Sequence, residues 1–431
     1  MPPPICLIGF MAAGKSTVGA ALAARLGRRF VDLDDQISGL GEPAAALVAR
    51  DPGEFRRREA ACLQAQLASA ADDPRGLVIA TGGGCAAWGD NLDRMRAAGL
   101  VVALSADLAE TRRRAEAGPA RPLLVADDAQ VRALRAEREP SYRRADVGIA
   151  TDGRSVESVV AQIARVAELH APGSTRPAVL ALADATVPIV VTESNAAKAV
   201  PEWVLPLGHS SRAVVVDAGL VRAQGKEVAA LAAALNAVTT LEVAAGEASK
   251  NVREYERLAG ALIGAGLDRQ SAIIAVGGGV VGDLAGFVAA TLFRGIAVVQ
   301  VPTTLLAMVD SSIGGKTAVD TDAGKNLLGA FHQPAAVVAA LPWLKSLPLS
   351  ERASAFGELL KYGFLDGAAL WSQVIACAPW ARDKQKRAPS ELVDVISACA
   401  RYKAWIVGHD PREQRGERVL LNLGHTVGHA I

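Results

Sequence analysis

Gly9-Phe-Met-Ala-Ala-Gly14-Lys15-Ser16 stands between an apolar run, PICLIGF, and the helical pattern KSTVGAALAARLG. Glycines so spaced between a strand and a helix let backbone N–H groups converge on phosphate oxygens. Lys15 can then bridge the β- and γ-phosphates and Ser16 can ligate Mg²⁺, with Ala12, Ala13, Gly14 and Thr17 completing the loop. Phe30-Val-Asp32-Leu-Asp34 puts two carboxylates at i and i+2, on one side of an expected strand end. One can hold a magnesium-bound water while the other accepts a hydroxyl proton. A second set begins at Gly277-Gly278-Gly279-Val-Val-Gly282-Asp283, after the strand pattern SAIIAV, which alone is a weak dinucleotide signal. His425 and His429, at i and i+4, share a helical face and form a metal hypothesis in their own right.

These residues need α/β layers to hold them. PICLIGF, FVDLD, LVIAT and LVVAL are apolar throughout, as parallel strands covered on both faces should be. Val156, Val159, Val160, Ile163 and Val166 line one face of an expected closing helix. His170-Ala-Pro-Gly-Ser-Thr-Arg-Pro177 breaks the periodicity and reads as an interdomain linker, 169–182. A second α/β unit, 183–345, follows, and longer helical patterns begin at 346. The 431 residues are 51% hydrophobic and 21% charged, which excludes disorder for most of the length. A net charge of +1 gives no general pull toward nucleic acid or membrane, and no apolar run suits a membrane span. The start lacks the pattern of a signal peptide, and five scattered cysteines read as core thiols in a reducing cytoplasm.

Further motifs follow the phosphate loop in order: Glu54-Phe55-Arg56-Arg57-Arg58-Glu59, Thr81-Gly82-Gly83-Gly84, Arg121-Pro122-Leu123-Leu124 and Arg138-Glu-Pro-Ser-Tyr142. With the loop they resemble shikimate kinase over residues 1–168. The resemblance implies that Asp34 is the base beside the acceptor hydroxyl and that Arg56 and Arg138 clamp the substrate carboxylate. Gly83 approaches shikimate through its backbone, Asp32 supports Mg²⁺ through water, Arg121 closes over the transferring group, and Arg114 and Arg154 lie by the adenine. The chemistry agrees: two guanidiniums suit a planar carboxylate, and a lid arginine suits charge spread over equatorial oxygens. Arg57 and Arg58 read as solvated helix charges, Asp35 as a surface or cap residue and Cys85 as packing.

Val301-Pro302-Thr303-Thr304, Asp310-Ser-Ser-Ile-Gly314-Gly315-Lys316-Thr317, Gly324-Lys325-Asn326, Gly357-Glu358-Leu-Leu-Lys361-Tyr362 and Arg418-Val-Leu-Leu-Asn422-Leu-Gly-His425 accompany the second glycine run. This series resembles 3-dehydroquinate synthase from about residue 183 onward. The resemblance implies NAD contacts at Glu247, Lys250, Gly279, Gly282, Asp283, Thr303, Thr304, Lys316 and Lys325, and zinc (or another divalent cation) on Glu358 and His425. Arg294, Asp310, Lys316, Asn326, Lys361, Lys403, Arg418, Asn422 and His429 would line the substrate site, with Lys316, Lys361 and His429 catalytic beside Lys15, Asp34 and Arg121 of the first half. Lys403 is placed by allowing one inserted residue before Arg418.

A zinc ion can polarise a secondary hydroxyl while NAD takes hydride from its carbon, after which phosphate leaves. The family pattern puts a second histidine ligand beyond His425, and the sequence stops at Ile431, so a fragment is expected, with no appreciable synthase activity in the residues given. The expected whole is a P-loop kinase domain with a parallel sheet, a Rossmann-like NAD domain and an incomplete all-helical metal domain. MgATP, NAD and zinc are its cofactors, and shikimate and a sugar-acid phosphate its small-molecule partners. It would act in aromatic amino-acid biosynthesis, with a homodimeric synthase half and no nucleic-acid or membrane partner. Two rival readings give the second half as a metal-dependent polyol dehydrogenase, against which DSSIGGKT and NLGHT argue, or as a non-catalytic interaction module.

Overall fold

The computed structural model describes residues 1–116, 127–170, 176–383 and 387–424. The chain divides into two compact units, Met1–Thr186 and Val187–Ile431. In the first, β1 (Ile5–Ile8), β2 (Arg29–Asp32), β3 (Leu77–Ala80), β4 (Leu100–Ser105) and β5 (Val147–Ala150) form a parallel sheet in the order β2-β3-β1-β4-β5. The central strand β1 is wholly buried, which is why its residues are apolar on both faces. Around it run α1 (Lys15–Leu26), α2 (Leu33–Ser38), α3 (Ala44–Arg50), α4 (Pro52–Ala71), α5 (Asn91–Ala98), α6 (Leu108–Glu116), α7 (Asp128–Arg143) and α8 (Val156–Leu169). α1 and α8 close one side of the core through Val18, Leu22, Val159, Val160, Ile163 and Val166. Gly27, left-handed at φ 64°, ends α1 by donating to the carbonyls of Ala23 and Ala24.

Two expectations change here. Asp34 is not on a strand: β2 ends at Asp32, whose side chain caps α2 by accepting from the Asp34 N–H at 3.0 Å. Asp34 therefore sits in a first helical turn, and capping rather than the strand period holds the two carboxylates together. Within the stretch expected as linker, Ala178–Ala181 forms a buried strand, β6, whose Val179 and Ala181 join the core of the first unit.

In the second unit β7 (Thr186–Thr192), β8 (Arg212–Asp217), β9 (Thr239–Val243), β10 (Ala272–Gly277), β11 (Ala297–Pro302) and β14 (Ala336–Ala340) run parallel in the order β7-β14-β11-β10-β8-β9. The connecting helices are α9 (Ala196–Val204), α10 (Ala218–Ala234), α11 (Val252–Gly264) and α12 (Gly279–Thr291). β12 (Lys316–Thr321) and β13 (Gly324–Phe331) form a separate antiparallel hairpin. Between β11 and β12 the chain makes a π-helical turn, Ala307–Ser311. From residue 346 the described residues hold no strand, and α13 (Leu349–Asp366), α14 (Ala368–Arg382) and α15 (Glu391–His409) complete the unit. The sheet and these helices lie within one compact unit.

Candidate active sites

The phosphate loop joins the end of β1 to α1. Gly9 has φ 136°, and a Cβ there would lie 2.1 Å from the Leu104 carbonyl oxygen, so the loop presses against the backbone of β4. Gly14, at φ 96°, heads α1 with no side-chain cap, leaving backbone donors at the helix start for an anion. Lys15 is buried, and its Nζ donates across the loop to the carbonyls of Gly9 (2.9 Å) and Phe10 (3.0 Å). Ser16 and Thr17 are exposed at the same helix end. A cavity of about 450 Å³ opens beside them, lined by Ala13, Gly14, Thr17, Arg114, Thr151 and Arg154. Arg114 is held flat there by Glu110 (2.7 Å) and by the Thr151 hydroxyl (2.9 Å) and carbonyl (3.0 Å). Arg154 is fixed by Gln162 at 2.7 Å. These features fit a magnesium nucleotide.

Next to the loop a cleft forms around Gly82, Gly83 and Gly84, which follow β3. A Cβ on Gly82 would lie 2.2 Å from the Glu59 carboxylate and 3.2 Å from that of Asp34. One on Gly84 would lie 2.4 Å from Arg56 Nη2 and 3.3 Å from Arg138 Cζ, and one on Gly83 3.5 Å from Arg138 Nη1. The glycines thus let two carboxylates and two guanidiniums close on one backbone segment. Arg56 pairs with Glu59, which is fully buried and whose pKa is raised by that burial, with Arg56 opposing. Desolvation against the cleft walls raises the pKa of Asp34, the Asp32 carboxylate adds to this, and Lys15 and Arg56 oppose it. Burial lowers the pKa of Arg138, and Tyr142, one turn along α7, donates its hydroxyl to the Gly83 carbonyl. Arg57 and Arg58 pair with Glu54 away from the cleft, and Cys85 is buried packing. Arg121 lies outside the described residues. Sequence reasoning missed Glu59, although its place three residues after Arg56 on a helix was a signal for the pair.

In the second unit the glycine run opens α12 without a side-chain cap. A Cβ on Gly282 would meet the Gln300 side-chain oxygen at 2.8 Å, so a side chain there would displace that amide. An uncapped helix start with Gly278, Gly279 and Gly282 fits a dinucleotide pyrophosphate. Thr303 and Thr304 follow β11, and a Cβ on Gly278 would lie 3.1 Å from the Thr304 side chain. Lys250 donates to Asp283 (2.6 Å) and to the Asn326 side-chain oxygen (2.5 Å). Burial raises the pKa of Asp283 while Lys250 opposes it. Lys325 and Glu247 are exposed, 3.7 Å apart.

A cavity of about 160 Å³ is lined by Asp283, Asp310, Lys316, Lys403, Arg418 and Asn422, and also by Glu413, which sequence reasoning missed. Lys403 donates to the Asp310 carbonyl (2.5 Å) and carboxylate (2.6 Å), burial lowering its pKa and Asp310 opposing. Lys361 pairs with Glu358 and donates to the Leu421 carbonyl at 2.7 Å. Tyr362 is buried and donates to the Val309 carbonyl (3.3 Å) inside the π-turn that carries Asp310. Arg294, expected in this group, is exposed in the turn after α12 and does not line the cavity. His425 and His429 lie outside the described residues. Among the described residues no three potential ligands form a metal centre, and one carboxylate, Glu358, does not make a zinc site.

Family models match the chain in three stretches. Residues 11–168 match shikimate kinase, 240–354 the 3-dehydroquinate synthase N-terminal domain and 355–431 its C-terminal domain. The chain thus joins a stretch that matches the shikimate kinase family to one that matches the 3-dehydroquinate synthase family. A 3-dehydroquinate synthase of Symbiobacterium thermophilum is 44% identical to it over 276 residues, 63% of this chain and 66% of that protein. One from Xylella fastidiosa is 51% identical over 189 residues, 43% of this chain and 46% of that protein. The chain therefore spans roughly half to two-thirds of the length of these relatives. A 2-epi-5-epi-valiolone synthase of Streptomyces hygroscopicus, solved with NAD+ and Zn2+ bound, is 25% identical and covers 57% of this chain and 67% of its own, with a TM-score of 0.50. No helix of the described residues is long and apolar enough to cross a membrane.

Proposed function

We propose that residues 1–168 transfer the γ-phosphoryl group of MgATP to shikimate, and that residues 183–431 carry the sugar-acid phosphate chemistry of 3-dehydroquinate synthase. The convergence of Asp34, Arg56 and Arg138 on Gly82–Gly84, beside Lys15, carries the kinase reading. Arg56 and Arg138 hold the acceptor carboxylate, and Asp34 takes the hydroxyl proton as the oxygen attacks phosphorus. Lys15, steered off its loop carbonyls by the nucleotide, meets the β- and γ-phosphates, and Ser16 and Asp32 hold Mg²⁺, Asp32 through water. Arg114 and Arg154 flank the base.

For the synthase region, NAD supplies reversible hydride transfer when bound. The chain's own residues hold the dinucleotide at the start of α12, and Lys316, Lys361, Lys403 and Arg418 surround the anionic substrate. Glu358 and His425 are proposed toward a metal, and no step is derived through it. The five cysteines are all free, which supports a reducing cytoplasm. Exposed Leu327, Leu328 and Phe331 on β13 support a homodimer through the synthase region.

Two assays on one preparation test this. Nucleoside-diphosphate release is followed with shikimate or gluconate as acceptor, and phosphate release with a heptulosonate 7-phosphate and NAD. Shikimate-dependent turnover that Lys15→Ala lowers at least ~10²-fold is expected. Equal turnover with gluconate would reject the acceptor assignment.

A further inference from the structure

Among the described residues, each lysine or arginine that lines the synthase cavity is matched to a carboxylate, and so are Lys250 and Lys361, which bond to residues of its lining. Lys250 faces Asp283, Lys361 faces Glu358, Lys403 faces Asp310, and Lys316 and Arg418 share Glu413. Apart from Lys250, which follows a short 3₁₀ turn, the residues of the first three pairs lie on helices or on the π-turn. Glu413 is different. It belongs to the short turn between α15 and Arg418, has a left-handed backbone (φ 56°), and reaches Lys316 at 2.5 Å and Arg418 Nε at 3.3 Å. Asp410 shapes that turn by accepting from the Gln414 and Arg415 N–H groups at 2.7 and 3.2 Å. A non-glycine residue held at positive φ stores strain that release of the turn would relax.

Two observations show that Glu413 neutralises this site without satisfying it. Arg418 is 4% exposed, yet its Nε has no hydrogen-bond acceptor among the described residues, because Glu413 lies off the N–H direction. The Lys316 side is 55% exposed, so water screens that ion pair and makes it easy to exchange. A tetrahedral dianion offers an acceptor to Arg418 Nε and a second oxygen to Lys316, which one carboxylate in this position does not.

We propose that Glu413 competes with anionic ligands for Lys316 and Arg418: a phosphate group that takes its place releases the 410–416 turn. The inference rests on the proposed anion-binding role of this cavity and adds a residue to it. Glu413 then lowers the apparent affinity of every anion by the fraction of time it holds the two cations. It also ties ligand binding to the order of the turn carrying Pro411, whose carbonyl accepts from Arg418 at 3.2 Å.

Hydrogen–deuterium exchange of the full chain, followed in peptides covering 410–424 during titration with inorganic phosphate, tests this and reads the site locally, apart from the phosphate loop. In the wild type phosphate should speed exchange at 410–416 and slow it at 417–424. In Glu413→Gln the turn should exchange fast from the start, and protection of 417–424 should saturate at about tenfold lower phosphate. Unchanged or weaker phosphate binding in Glu413→Gln would overturn the competition, since Glu413 would then be orienting the two cations. No local response in either protein would reject the anion site itself. Should the variant fail to fold, the wild-type titration still decides, because slower exchange at 410–416 with phosphate contradicts release.

Discussion

Gly84→Ala isolates the carboxylate clamp with one methyl group. Gly84 has φ −114° and ψ 1°, which alanine can adopt, so the backbone should not object. The methyl would stand 2.4 Å from Arg56 Nη2 and 2.8 Å from its Cζ, where ordinary contact begins near 3.4 Å. Arg56 must therefore retreat by roughly 1 Å, and Arg138, at 3.3 Å, barely moves. Displacing a substrate-positioning group by about 1 Å costs ~10²-fold in rate, equivalent to ~2.7 kcal/mol. The expected result is a loss of that size in kcat/KM for shikimate, mostly as a raised KM, because the clamp acts before transfer. The KM for MgATP should not change, and the thermal midpoint should shift little, since the clash is with the far end of a flexible side chain. A coupled assay at saturating MgATP with a melt on the same preparation measures both. A kcat/KM within threefold of wild type would refute the placement of Arg56 at the acceptor.

Asp34→Asn should nearly abolish phosphoryl transfer, by 10²–10⁴-fold, yet stabilise the fold at neutral pH. The pKa of Asp34 is raised in the folded state, so its charge opposes folding, only slightly because the exposed side chain is screened by water; the penalty is full above the raised pKa and fades as pH falls to the unfolded value near ~3.9. Melts should show a higher midpoint than wild type at pH 7 and none of that gain in acid; a lower midpoint at pH 7 would contradict the desolvated base. In the wild type the same sign gives kcat/KM an acid limb as Asp34 is protonated. Asp310→Asn should destabilise the synthase unit by about 3 kcal/mol, because it leaves Lys403 buried beside a neutral partner. Lys403 already has a lowered pKa, so between that value and the unfolded one near ~10.4 the unfolded chain binds more protons, and the variant should recover stability as pH rises. A stability deficit independent of pH would exclude this explanation.

The parts legible in the sequence are those whose geometry is local. The phosphate loop is contained in eight consecutive residues, and a strand, a turn and a helix start fix where its amides point. Strands such as β1, β3, β4 and β10 were readable because they are apolar on both faces, whereas the half-exposed β9 was not. What escaped depended on contacts between distant segments or on capping. The spacing of Asp32 and Asp34 was visible, but a cap changed the element that carries them. Glu59 acquires meaning only when Gly82 and Arg56 close on its carboxylate. Glu413 meets Lys316 through a left-handed turn that no local pattern announces. Strand β6 hid in a stretch whose proline and glycine masked four apolar residues.

The π-turn at Ala307–Ser311 bears on how this chain could change over generations. Such a turn is a helix that has gained one residue, and the gained residue shifts the direction of everything after it. Removing any one residue from 307–309 would let the backbone ladder close in α register, turning Asp310 by about 100° around the axis. The carboxylate would leave Lys403, and the Tyr362 hydroxyl would lose the carbonyl that it meets now. Substitutions in this stretch can be absorbed by repacking, whereas a single-codon deletion cannot. Chain length is therefore held more tightly here than residue identity, and lineages that lost the extra residue should have lost the lysine pairing with it.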